Sequence, residues 1–397
     1  MKRVYTDQEF IEKNKEKYSK KYFKKEKAAV KTIENGYILP PQKHHDNMNS
    51  FYKGGVVDSK GKFVPLSSHL RESPEGALQD GYAFEKNHVK YENKKVIFGG
   101  FFISFFGHFL VETSSRLWYW LEHKEENLEI IFIEGKSKKT APQVWEFLDL
   151  LGVPRNKVRI LKEITQFKEI IVPTQSTVIS TSYNDKFTEI FQNIAQKIEP
   201  KNFEKVYLSR TKFKKGTPCF GEEIIEKTFK DNGYKIIYPE RLSLKEQISY
   251  LNNAKEIAGL AGTALHLVLF AKPKTKVIAL DRSDYVIEEQ ILINQAKEID
   301  DYYVAANANP VPTDHSEGPL LITLTDHLAS FFNDHNFKYN TQDIGFIKKK
   351  YLKYFIKTYY KTYVKTSKNN TLRKIDNIVA KRIKLYFQEL RKPFWKL

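Results

Sequence analysis

Residues Glu256–Asp281 read EIAGLAGTALHLVLFAKPKTKVIALD. An apolar run ends on glycines, LHLVLFA follows as a helix, and a Lys/Pro turn leads into KVIALD (Lys276–Asp281), a second β-rich run. Strand, turn, helix and strand in that order form a unit of a parallel sheet. Outward from it the pattern repeats. KVYLSR (Lys205–Arg210) predicts a strand, Gly221–Asn232 a helix stopped at Gly233, YKIIYP (Tyr234–Pro239) a strand, and Ser243–Ala254 a helix with a capping serine. Upstream, a similar series runs through KKVIF (Lys94–Phe98), a helix over Phe105–His123, EIIFIEG (Glu129–Gly135), a helix over Pro142–Leu151 capped near Gly152, VRIL (Val158–Leu161) and EIIVP (Glu169–Pro173). The fold class is therefore α/β, in two domains with a cleft between them: residues 1–200, residues 201–340, and a basic tail over 341–397. Residues 1–35 read as a charged, frayed helix, and the Gly/Ser/Pro-punctuated stretch to Gly81 as loops around short strands.

Composition narrows the class. The chain has 397 residues, 41% hydrophobic and 14% aromatic, enough to bury sizeable cores. Cys219 is the only cysteine, so neither a disulfide framework nor a Cys-based metal site is expected. The start, MKRVYTDQEFIEKNKEKYSKK, is charged and unlike a secretory signal, and the run from Val96 to Val111 is too short and glycine-broken for a membrane span. The expectation is a cytoplasmic protein. Of the net charge of +18, a balance of +14 falls between Phe346 and Leu397, where sixteen Lys or Arg face only Asp376 and Glu389. A nearly neutral body argues against nucleic-acid binding over the whole surface. The tail alternates lysines with Tyr, Phe, Ile and Leu, with a helix expected over Leu372–Leu390. It suits an anionic membrane surface, with nucleic-acid stacking or a helix completing the fold as the other readings.

Two clusters carry candidate chemistry. In FGHFLVETSSRLWY (Phe106–Tyr119), His108, Glu112 and Arg116 recur every four residues, which on a helix stacks an imidazole, a carboxylate and a guanidinium along one side. They are catalytic or acceptor-site candidates, or a network that merely steers a helix. In the second half, Arg210 ends a strand, where an arginine fork suits phosphate. Gly259 and Gly262 mark a strand-to-helix turn at which backbone N–H groups approach an anion; Thr263 adds a hydroxyl, and His266 lies one turn on. The same turn would also serve tight packing, and His266 a core position. Glu222 and Glu223 suit either the site or a helix N-terminus. No Asp-x-Asp sits at a strand end, Asp281 and Asp284 being one residue too far apart, and His44 and His45 read as loop residues rather than metal ligands.

The order FGHFLVETSSRLW, VYLSR, GEEIIE and ERLSLKEQISYLNNAKEIAGLAGTALHLVLFAKPKTKVIAL resembles glycosyltransferase family 61 over roughly residues 95–285. His108 and Glu112 match its histidine and acid, Arg210 its strand-end arginine, Glu222 and Glu223 its paired acids, and Gly259, Gly262 and Leu265 its glycine-rich turn. Gly221 and Leu267 stand where the family has asparagines, Ala261 where it has histidine, and His266 where it has threonine. The resemblance implies a GT-B fold, two Rossmann-like domains facing a cleft, with the donor held by the C-terminal one. It implies inverting, metal-independent transfer from a nucleotide sugar to a lipid-linked or growing glycan of a bacterial capsular polysaccharide. Neither cofactor nor metal is implied. Glu112, or His108 coupled to it, would be the general base, with Arg116 supporting; Arg210, Gly259, Gly262, Thr263, His266 and Glu222 would hold the donor. Placement at the inner face of the cell membrane through 346–397 would suit such an acceptor. The substitutions at 261 and 267 favour an alternative, a non-catalytic membrane- or nucleic-acid-binding module on a degenerate scaffold.

Overall fold

The structure is a computed structural model that describes residues 3–25, 27–45, 50–135, 140–214, 216–311, 313 and 318–364. Two sheets organise the chain. The first has eight strands and is mixed. Its parallel half places Lys90–Phe102 between Thr165–Pro173 and Glu129–Glu134, with Val158–Leu161 beyond. These are the apolar runs read from sequence, and strands buried on both faces need no polar alternation. The antiparallel half, Val30–Glu34, Tyr37–His45 and Ser50–Val57, comes from segments read as the end of a helix and as loops around short strands. Among the described residues of the expected N-terminal helix, only Gln8–Lys13 and Lys15–Ser19 are helical.

The second sheet is parallel throughout, in the order Arg3–Tyr5, Asp300–Ala305, Lys276–Asp281, Glu256–Leu260, Lys205–Leu208, Lys235–Ile237. Arg3–Tyr5 thus completes the second sheet rather than joining the first, and Tyr5 packs edge-on against Phe331 there. From Lys205–Leu208 the chain steps to Lys235–Ile237 on one side, then returns to Glu256–Leu260 on the other. That reversal makes a crevice at the carboxyl ends of Lys205–Leu208 and Glu256–Leu260, where open α/β sheets bind ligands.

Helices fill the space between the sheets. Phe147 of Pro142–Leu151, Phe191 of Glu189–Gln196 and Phe270 of the 3₁₀ turn Leu265–Phe270 form one aromatic cluster, with centroids 5.4–6.3 Å apart. Residues of both halves therefore share one continuous core. The helix Leu244–Leu251 starts at Ser243 in a full capping box with Glu246, as its sequence predicts. At the far end Lys349–Tyr359 is helical and buries Leu352 and Phe355 against Val311 and Leu321. The apolar face of this part of the tail is thus docked on the protein, while Lys353, Tyr354, Lys357 and Tyr360 stay exposed. The helix expected over 372–390 lies outside the described residues. Among those described, no helix is long and apolar enough to cross a membrane.

Candidate active site

The line His108, Glu112, Arg116 does not lie on one helix. The helix Phe106–Val111 ends at Glu112, whose backbone is non-helical, and Thr113–Arg116 continues as a 3₁₀ turn before Leu117–Glu122. The Thr-Ser-Ser run explains the break, because hydroxyls compete for backbone groups: Ser114 donates to the Leu110 carbonyl and Thr113 accepts from the Ile103 N–H. One helical bond survives, from the Glu112 N–H to the His108 carbonyl. It keeps the two side chains together while Arg116 swings away.

Glu112 is 2% exposed and accepts from three residues. His108 Nδ1 lies 2.5 Å from Oε1, and His69 Nε2 2.9 Å from Oε2. Arg71 spans both oxygens, through Nε at 2.9 Å and Nη2 at 3.1 Å. Burial pushes the Glu112 carboxyl up. The hydrogen bonds from His108 and His69, with the charge of Arg71, outweigh it and hold the group well below the usual carboxylate range. Burial pushes the fully enclosed His69 imidazole down, so it donates as a neutral ring. An ionised carboxylate only accepts, so in the neutral ring the His108 proton lies on Nδ1 and Nε2 is left as an acceptor.

Arg116 is buried and donates to the carbonyls of Leu66, Ser68 and Pro173. Its guanidinium, lowered to about 9 by burial, does not anchor Glu112. It staples the loop that presents His69 and Arg71. Those two residues carry no motif in the sequence; they lie about forty positions upstream in a stretch with no periodicity, and only tertiary packing brings them here.

Across from His108 stand the strand ends of the second sheet. Arg210, Gly262 and Arg282 follow three adjacent strands, and with His108, Thr263 and His266 they line one cleft of about 810 Å³. Gly262 has φ of +141°, and a Cβ there would lie 3.2 Å from Arg282 Nη2, so the guanidinium needs a glycine beside it. Gly107 is equally constrained: a Cβ would stand 2.6 Å from Thr263 Oγ1. The turn that carries His108 therefore touches the glycine-rich turn directly. Arg282 was not singled out in the sequence, although it follows a strand just as Arg210 does.

Several cleft groups are buried without partners among the described residues: Nε of Arg210, Nε and Nη1 of Arg282, and both ring nitrogens of His266. Burial, with the like charge of Arg210, lowers Arg282 to about 10, so it stays cationic near neutral pH. Burial, then the neighbouring His108 and Arg282, lower His266 to about 3 and keep it neutral. Two guanidiniums and an imidazole with unused hydrogen-bonding capacity suit an anionic ligand.

Glu222 and Gly259 sit elsewhere. Glu222 is buried behind Arg210, accepting from the Arg210 N–H at 3.1 Å and the Tyr207 hydroxyl at 2.9 Å. Burial raises its carboxyl to about 7. It shapes the loop rather than lining the cleft. Gly259 lies inside Glu256–Leu260, where a Cβ would press within 3.1 Å of Leu208; it serves strand packing, not the turn. Glu223 accepts from the Tyr351 hydroxyl of the tail helix. Ala261 and Leu267 are buried and apolar. Among the described residues no three His, Cys, Asp or Glu side chains cluster as metal ligands.

Fold and site together define an α/β protein that gathers cations at the carboxyl edge of a parallel sheet, facing a carboxylate-oriented histidine. The Glycosyltransferase 61 family model matches residues 106–278, and this supports assigning the chain to glycosyltransferase family 61, with glycosyltransferase activity in general. The matched span holds His108, Glu112, Arg210 and Gly262 but ends before Arg282 and begins after His69 and Arg71. No curated protein matches the chain.

Proposed function

We propose that the protein is an inverting glycosyltransferase that moves a sugar from a nucleoside-diphosphate sugar to a hydroxyl of a glycan or lipid-linked acceptor. The observation that carries this reading is the opposition, across one cleft, of His108 on its buried carboxylate and the guanidiniums of Arg210 and Arg282, which hold buried nitrogens without hydrogen-bond partners among the described residues. The acceptor oxygen forms its bond to the anomeric carbon from one face while the bond from that carbon to the diphosphate oxygen breaks on the other. The acceptor proton passes to His108 Nε2. The diphosphate leaves with the bonding pair, and Arg210, Arg282 and the N–H groups of the Gly262 turn balance its charge, a role that needs no metal. Glu112, 2% exposed and already accepting from three residues, positions the base rather than acting as one.

In this reading the two sheets are GT-B-like halves, the second holding the donor, and the product is a bacterial surface polysaccharide such as a capsule. Six lysines and no acid between Phe346 and Val364, followed by ten further Lys or Arg, would hold the protein to the anionic inner face of the membrane. Because the apolar face of Lys349–Tyr359 is docked, that contact is electrostatic there, with Tyr354 and Tyr360 as exposed rings.

The test is nucleotide release from a panel of UDP-, GDP-, dTDP- and CMP-sugars, with His108→Ala and Arg210→Ala beside the wild type. Release that both substitutions abolish supports the enzyme. No release from any donor, together with retained binding to anionic liposomes, returns the chain to a non-catalytic scaffold.

A further inference from the structure

Phe105 and His108 line two cavities, not one. Besides the cleft that holds Arg210 and Arg282, they border a separate cavity of about 230 Å³ on the side of the first sheet. Tyr52, Phe101, Ile103 and Arg71 form its walls. Tyr52 and Phe101 meet edge to face at 5.4 Å, and Phe101 is held in turn by His69 at 5.0 Å, so this aromatic wall is braced by the same histidine that supports Glu112. Phe105 stands 60% exposed at the junction of the two cavities.

The two cavities differ in charge. The larger has guanidiniums with buried, unpartnered nitrogens. Among the described residues, the cation that lines the smaller is Arg71, which is committed in two hydrogen bonds to Glu112 and in a third to the Glu75 carbonyl. Its charge is balanced by Glu112, and two of its five N–H groups remain to donate. An anion gains little in such a place, whereas a neutral polyol gains donors below and aromatic faces around it.

We propose that this smaller cavity is the acceptor subsite and that it takes one uncharged pyranose, its apolar face against Phe105 and Tyr52 and its reactive hydroxyl turned toward His108 Nε2. The proposal rests on the transfer reading above and names the acceptor for it. The size agrees: a cavity of this volume suits a single sugar ring, and the nucleotide needs the larger cleft. His108 at the shared boundary is where a base must lie to take a proton from the acceptor while the donor sits on the other side.

The experiment measures binding of the full chain to methyl β-glucopyranoside, methyl β-galactopyranoside, methyl 2-acetamido-2-deoxy-β-glucopyranoside and methyl β-glucuronide by saturation-transfer NMR. UDP, GDP, dTDP and CMP are titrated in parallel. A neutral pyranoside is expected to bind, and Phe105→Ala and Tyr52→Ala each to weaken it by about tenfold. Tyr52→Ala, which lines only the smaller cavity, is expected to leave nucleotide affinity within about twofold. Binding of no neutral pyranoside, binding indifferent to both substitutions, or tighter binding of the glucuronide than of every neutral sugar would each overturn the assignment. The nucleotide titrations judge the donor reading separately. Sugar binding that depends on Phe105 and Tyr52 without any nucleotide binding keeps the subsite and removes the donor.

Discussion

Replacing Glu112 by Gln removes one charge and changes no volume, so its consequences follow from the site's hydrogen bonds. The carboxylate accepts four of them, one from His108, one from His69 and two from Arg71. A glutamine oxygen can keep two; its amide nitrogen donates, so on that side the Arg71 bond is lost and the His108 ring must present an acceptor instead of a donor. Two charge-assisted bonds are lost, at about 1.5–3 kcal/mol each, which places the loss near 3–6 kcal/mol, overlapping the roughly 3–5 kcal/mol for breaking a buried pair. Arg71, whose side chain is 22% exposed, recovers some water, so the lower end, about 3 kcal/mol, is expected. The sign of the pH dependence is fixed as well. Glu112 titrates below its unfolded value, so its contribution is complete above the usual carboxylate range and is lost only as pH falls through its depressed folded value. The difference between wild type and Glu112→Gln should therefore hold from pH 8 to about 5 and shrink in stronger acid. In turnover by the proposed mechanism, the amide presents N–H to His108 Nδ1, which moves the ring proton to Nε2 and would remove the base. A kcat loss on the order of 10²–10⁴ with nucleotide affinity unchanged is expected. Urea unfolding across pH and single-turnover transfer measure the two effects. A stability change under about 0.5 kcal/mol, the scatter of neutral surface substitutions, would refute the account of the buried network. Full activity in Glu112→Gln would refute the role of His108.

Arg282→Met removes a buried guanidinium with unpartnered nitrogens, so the protein should be no less stable, while nucleoside diphosphate affinity falls by about 10–100-fold. Equal affinity in calorimetric titration would remove Arg282 from the donor site. Gly107→Ala sets a methyl against Thr263 Oγ1 and should cost about 1–3 kcal/mol. Thr263→Ala in the same chain should restore most of it, and a double-mutant cycle with no coupling would show that the two turns do not touch. His266 is held neutral down to about 3 while the unfolded chain takes up its proton near 6.5. Native stability therefore falls with pH across that window, and wild type should lose about 2 kcal/mol relative to His266→Leu between pH 7 and pH 5. A constant difference in urea unfolding would contradict that burial.

The α/β class, the strands from Lys94 to Pro173 and from Lys205 to Asp281, and the helices Pro142–Leu151 and Leu244–Leu251 were legible in the sequence. Each rests on local chemistry: apolar runs, a glycine stop, a capping serine. So were His108, Glu112, Arg210 and Gly262, because their spacing or their place at a strand end is itself the signal. Short strands before Gly81 were expected among loops, but their extent and antiparallel pairing were not legible, since their pairing partners lie far along the chain and their Gly and Pro content interrupts the pattern.

The roles of the site residues were decided only in three dimensions. Spacing predicted a His108–Glu112–Arg116 stack, but the hydroxyls at 113–115 break the helix and send Arg116 to backbone carbonyls. His69 and Arg71 take its place on Glu112 from a loop with no periodic signature. A sequence shows which groups are costly to bury, because burial of a charge demands a partner whatever the fold. It does not show the partner when that partner arrives from forty residues away. Tertiary packing alone chose among the candidates, and by closing three donors around Glu112 it left His108 as the group that faces the cleft.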